Sequence, residues 1–167
     1  MRKLLFLIAT TALLCSCDKI TIEENEIAGS YWYETSYYGN YIKNGERHYF
    51  DTKGEEGMDG GNSSCWYFGD NGEHISYHII SHVPISYYHT SPYNFDLKAK
   101  KMIMGSSVSK IIKFTDSELI VEGRATIGDD TNALIGNRFE RIYPKKGAFD
   151  NYIPYEELPD EYKSPSN

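Results

Sequence analysis

Hydrophobic and polar positions alternate along most of this chain with the period of a strand. The clearest case is 118–125. Leu119, Val121, Gly123 and Ala125 share one face there, and Glu118, Glu122 and Arg124 take the other. Period two with charges on one side describes an antiparallel strand covered on its other side. Strand-like runs also occupy 30–38, 41–50, 64–68, 73–83, 93–97, 101–104, 108–114 and 133–143. Turn-forming residues stand between them: Gly39-Asn40, Asn44-Gly45, Asp70-Asn71-Gly72 and Thr115-Asp116-Ser117. Asn and Gly accept positive φ, which suits tight hairpins. Pro84 ends or edges the run before it. Residues 51–62, rich in Gly and acids, predict a loop. No stretch before Tyr143 combines a helical period with capping residues. About eight to nine short strands joined by tight turns predict an all-β fold. Its expected form is a single antiparallel up-and-down β-barrel, because closure removes exposed edges.

The N-terminus has a different pattern. Met1-Arg2-Lys3 precedes an apolar run from Leu4 to Leu14, followed by Cys15-Ser16. A positive start, a short apolar stretch and small residues at the end make a secretory signal. The run falls short of the roughly 20 residues that a transmembrane helix needs. Leu14-Cys15-Ser16-Cys17 resembles a bacterial lipobox. That resemblance implies removal of 1–16 and lipid attachment at Cys17, whose thiol takes a diacylglyceryl group. Residues 17–27 are then the lipidated Cys and a tether, and ten residues reach at most about 35 Å. The expected location is the cell envelope, lipid-anchored at the outer membrane, with the periplasmic or surface face left open. Glu23, Glu24 and Glu26 are loosely similar to the acidic export signals of Bacteroidetes surface lipoproteins, although Lys19 and Ile20 interrupt the match.

The 167 residues allow one domain after the signal. It is expected to span 28–143, followed by a tail at 144–167 rich in Pro, acid and Tyr. The tail is expected to wrap the outside or to stay partly unstructured, with one helical turn at 154–162. The formal charge is -7, and loss of Arg2 and Lys3 makes the mature chain more acidic. Such a surface disfavours nucleic acid, which demands Lys and Arg patches. The 15 tyrosines suit half-buried strands first, and contact surfaces second. Beyond the signal and the anchor only Cys65 remains, so no intramolecular disulfide is available. Its neighbours Trp66 and Tyr67 favour a buried small hydrophobe over a reactive thiol.

Several constellations invite chemistry. His74, His78 and His82 recur at every fourth position, which on a helix would line one face. On a strand, residues at that spacing lie about 13 Å apart, too far to share an ion. They are expected to form a polar stripe or pocket lining, and no metal site is assigned. Asp129-Asp130, Asp150 and the acids of 51–59 lack the ligand order of a calcium loop. Glu118 with Glu122, or Glu156 with Glu157, are commonplace carboxylate spacings rather than a glycosidase pair. No phosphate-binding glycine loop, nucleophile elbow or zinc motif is present. No catalytic residue and no cofactor are assigned, and an enzyme is not expected.

Ile27-Ala28-Gly29-Ser30-Tyr31-Trp32, after a lipobox and a short acidic tether, is similar to the opening of lipocalin-like lipoproteins of Bacteroidetes. Trp66-Tyr67-Phe68-Gly69-Asp70-Asn71-Gly72, residues 111–121 and Phe139-Glu140-Arg141 continue the likeness in order, over about 27–143. The resemblance implies a lipocalin-like barrel, held to a membrane, that binds a small apolar or amphipathic ligand. In that family the first Trp packs against a basic residue of the last strand. Here Trp32 falls one position late. Either Tyr31 takes the floor position or a bulge resets the register. Arg138 or Arg141 is then the expected cationic partner. Candidate ligand contacts are Trp32, Tyr33, Trp66, Tyr87, Tyr88 and Tyr93. The alternative is an accessory protein with a filled barrel, touching another envelope protein or a glycan through its aromatic surface.

Overall fold

The computed structural model describes residues 26–53, 64–80 and 85–163. The expected signal segment, Cys17, the expected tether up to Asn25, most of the 51–62 loop, His82 and Pro84 lie outside them. Ten strands follow in chain order: β1 (Ser30–Lys43), β2 (Glu46–Asp51), β3 (Ser64–Phe68), β4 (Glu73–Ile80), β5 (Ile85–Asp96), β6 (Lys101–Met104), β7 (Ser107–Phe114), β8 (Glu118–Ile127), β9 (Asp130–Ile142) and β10 (Ile153–Pro154). Antiparallel pairing runs β1-β3-β4-β5-β6-β7-β8-β9, and β9 returns to β1. The expected all-β barrel is therefore present, closed by eight strands with β2 and β10 outside the ring. Within the ring each neighbour in sequence is a neighbour in space, while β2 branches off β1 and β10 joins β5.

Period two decides which side chains fill the ring. Leu119 and Val121 face inward, as the alternation predicted, and are buried. They meet Trp32, Phe68, Met102, Ile111, Phe114 and Phe139 in one apolar cluster. Trp66, Tyr93, Phe95 and Met104 pack against its edge. This cluster fills the lower half of the barrel as a solid floor. Trp32 is fully buried there, its indole N–H donating to Ser30 Oγ at 2.7 Å. Ser30 in turn donates to the Ile27 carbonyl. Tyr31 points outward, so the inward position belongs to Trp32. The guanidinium of Arg141 lies 5.9 Å from the Trp32 ring, whereas Arg138 sits outside the barrel, 4.2 Å over Tyr38.

Three expectations change. Gly39-Asn40 is not a turn: β1 runs straight through it and turns at Asn44-Gly45, both at positive φ. Gly39 is needed for a close approach instead, since a Cβ there would stand 2.0 Å from the Leu134 carbonyl oxygen. β5 begins at Ile85, well before residue 93. Pro92 is tolerated because it sits where β5 leaves β4 and takes up β6. The tail forms two 3-10 turns, Tyr155–Glu157 and Asp160–Tyr162, rather than one helical turn.

Candidate functional site

Above the floor the inner face changes character. On β1 the next inward residue after Trp32 is Glu34. Its carboxylate accepts hydrogen bonds from the Asn137 side-chain amide of β9 and from Ser64 of β3. Ser64 Oγ lies 3.2 Å from His78 Nδ1, and Ser76 Oγ lies 2.8 Å from His78 Nε2. Alternation on β4 turns His74, Ser76 and His78 inward together, opposite Ser91, His89 and Tyr87 of β5. His78 stacks on Tyr87 with ring centres 5.1 Å apart, and His89 meets it edge-on at 5.6 Å. Tyr37 and Phe50, 5.7 Å apart, and the stacked pair Tyr41 and His48 extend the same face toward the rim.

The barrel wall opens beside this cluster. Among the described residues, β5 from 85 to 91 pairs only with β4 and β10, and β8 from 123 to 127 pairs only with β9. The two edges part above the β6–β7 turn. β10 lies parallel to β5 across the opening, Ile153 opposite Tyr87 and Pro154 opposite Tyr88. That docking carries Tyr155 to 4.3 Å from the His89 ring and 5.6 Å from Tyr87. The C-terminal segment thus contributes a side chain to the mouth.

The electrostatics follow from burial. Desolvation pushes His74 and His78 down to about 4, each helped by charge repulsion from the next histidine. His89 is lowered as well, again chiefly by desolvation. Around neutral pH these imidazoles are uncharged. Burial raises the Glu34 carboxyl, against the lowering effect of its hydrogen bonds to Asn137 and Ser64. Among the described residues Glu34 forms no ion pair. One level down, His74 Nε2 is buried with no hydrogen-bond partner among the described residues, while Nδ1 stands 3.5 Å from Ser91 Oγ. No three His, Cys, Asp or Glu side chains of the described residues gather as metal ligands.

The outer wall carries a second aromatic cluster. Tyr31 and Tyr67 meet at 4.4 Å. Phe149 stacks on Tyr77 at 4.1 Å and on Tyr31 at 5.5 Å, and Tyr152 meets Tyr77 edge-on at 5.2 Å. Cys65 is buried among strand neighbours Tyr33 and Tyr77, and desolvation pushes its thiol up to about 12. It is an inert thiol under that condition. A groove of about 570 Å³ runs between this segment and the wall, lined by Tyr31, Tyr77, Arg141, Lys145, Lys146 and Phe149 among others. Its open side is a solvent-exposed turn, and its lysines face water.

The six candidate contacts divide. Trp66 faces inward, half-buried, with its ring 4.0 Å from Phe139 at the top of the floor. Tyr87 faces inward at the mouth. Trp32 belongs wholly to the floor. Tyr93 packs on Phe68 at 5.0 Å and donates to the Gly69 carbonyl at 3.1 Å. Tyr33 and Tyr88 point outward, Tyr88 lying 6.0 Å from Tyr77. Glu34, Asn137, His89 and Tyr155 were missed. Glu34 shares a parity with Trp32 and was readable from it. His89 lay in a segment not recognised as strand. Comparison with family models, curated proteins and solved structures finds no match.

Proposed function

We propose that the protein is a noncatalytic envelope binding protein, tethered by lipid on Cys17, which takes a small amphipathic ligand at the barrel mouth. One observation carries this reading: a hydrogen-bonding inner face around Glu34, Ser64, His78 and Asn137 stands directly above a filled aromatic floor. A wholly apolar guest would need empty apolar depth, and Trp32, Phe68, Phe114 and Phe139 occupy that depth. An amphipathic guest can lay its apolar part on Trp66 and Tyr87 and its polar part on the groups beside them. A hydrolytic role for Ser64 and His78 has less support. Both His78 ring nitrogens already face serines, and β3 and β4 use backbone N–H groups in ladders on both sides. A stabilised oxyanion needs free donors.

Native mass spectrometry of protein from its own host tests the reading. A retained small molecule, lost in Tyr87→Ala/His89→Ala, is the expected result. Turnover of a metabolite by the purified protein would defeat it. For the tether, Cys17→Ala is expected to abolish incorporation of a labelled fatty acid, and equal label in both proteins would sink the lipobox.

The second reading is an accessory protein acting through its outer surface. It is favoured by the solid floor and by Tyr49 and Tyr143, which are 76% and 83% exposed. Against it, Phe149 and Tyr152 already cover much of the outer aromatic cluster. Recovery of a specific envelope partner with no retained molecule would favour it.

A further inference from the structure

The mouth holds a carboxylate that no cation among the described residues pairs with. Asn137 and Ser64 orient Glu34 but bring no charge. The nearby basic groups are turned elsewhere. Arg138 is outside, paired with Asp51 at 2.7 Å and stacked on Tyr38. Lys113 pairs with Glu118. Arg141 lies below, against Trp32. The imidazoles around the mouth offer neutral nitrogens, and the rings of Trp66, Tyr87 and Tyr155 offer π faces.

We propose that the ligand is an amphipathic amine, an ammonium group on a small apolar or aromatic body, with Glu34 as its counter-ion. This rests on the mouth-binding reading and names its ligand class. An ammonium supplies the charge that Glu34 lacks, in a site where partial desolvation strengthens the pair. Aromatic walls attract the same cation through their ring quadrupoles. A carboxylate ligand would meet Glu34 with like charge. A neutral ligand would leave Glu34 desolvated and uncompensated. The formal charge of -7 also raises the concentration of cations near the surface.

The test uses three probes on one skeleton: phenethylamine, 2-phenylethanol and 3-phenylpropionate. Tryptophan fluorescence of the full-length protein reports binding, since Trp66 borders the mouth and Trp32 is sealed in the floor. Phenethylamine is expected to bind about tenfold tighter than the alcohol, equivalent to about 1.4 kcal/mol. The acid is expected to bind weakest. Glu34→Gln should erase the amine advantage and leave the alcohol unchanged. Should that variant fold poorly, carbon-13 NMR of the wild-type Glu34 carboxyl gives a second measurement. Saturating amine should lower its titration midpoint. Equal binding of amine and alcohol, or an unmoved midpoint, overturns the counter-ion assignment. A neutral or anionic molecule retained in native mass spectrometry would also overturn it while leaving the mouth-binding reading intact.

Discussion

The lower and upper halves of this barrel are made from the same strands with the same alternation, yet their inner faces do opposite things. Below, most inward positions carry apolar side chains buried against one another, Trp32, Phe68, Phe114, Leu119 and Phe139 among them, with His74 a polar exception on β4. Above, one step further along β1, β3, β4 and β9, the inward positions become Glu34, Ser64, His78 and Asn137. The wall itself also changes, since the ring is continuous below and parted between β5 and β8 above. The lesson is a division of labour. A close-packed floor holds the register, so the upper strands can carry polar groups whose burial contributes little stability.

Substitutions can break this contrast at either end. Trp32→Ala removes the largest side chain of the floor together with its bond to Ser30. A loss of about 3–5 kcal/mol is expected, read by chemical denaturation. A loss below about 1 kcal/mol would show that the floor is looser than its burial implies. Acid acts on the other end. His74 and His78 hold protons in the unfolded chain near the ordinary 6.5, but in the fold only near about 4. Stability is therefore complete above about pH 6.5 and falls as pH drops toward 4, with roughly 3 kcal/mol from His74 alone. Glu34 works in the opposite sense, because a raised carboxyl favours the fold as pH falls. His74→Gln should flatten the acid limb of a melting-temperature profile, and an unchanged limb would remove His74 from the account.

Smaller effects sharpen the boundary between core and surface. Phe149→Ala should cost about 1–2 kcal/mol, because its ring is shared between Tyr31 and Tyr77. It should also speed reaction of Cys65 with a thiol reagent in the native protein. Unaltered reactivity would mean that the segment does not shield that wall. His89→Ala is expected to change stability by less than about 0.5 kcal/mol while weakening retention of the proposed ligand. A large stability loss there would place His89 with the floor and undo the contrast.

Parts of this arrangement were legible along the chain. Leu119, Val121, Gly123 and Ala125 alternate cleanly because only one side of β8 meets the interior. Asp70-Asn71-Gly72 forms the expected hairpin, since Gly72 needs its positive φ whatever surrounds it. Gly39-Asn40 misled for the complementary reason. A turn dipeptide shows that glycine is required, but not whether bending or the approach of Leu134 requires it. Pro84 and Pro92 masked β5, whose change of partner at Pro92 is invisible in one dimension. Trp66 and Tyr87 were found as aromatic candidates, while Glu34 was passed over because a charged residue on a strand ordinarily faces water.

The sequence by itself determined the strand period, the hairpin turns and the residue types available to each face, because these depend on neighbours within a few positions. The tertiary structure decided the rest. Pairing of β1 with β9 brings Asn137 to Glu34 from 103 residues away, and β3–β4 pairing sets Ser64 against His78. Docking of β10 on the open edge of β5 delivers Tyr155 to His89. Such meetings depend on register between distant segments. Register is set by the packing of the whole floor, in which a slip of one residue would turn every inward side chain outward.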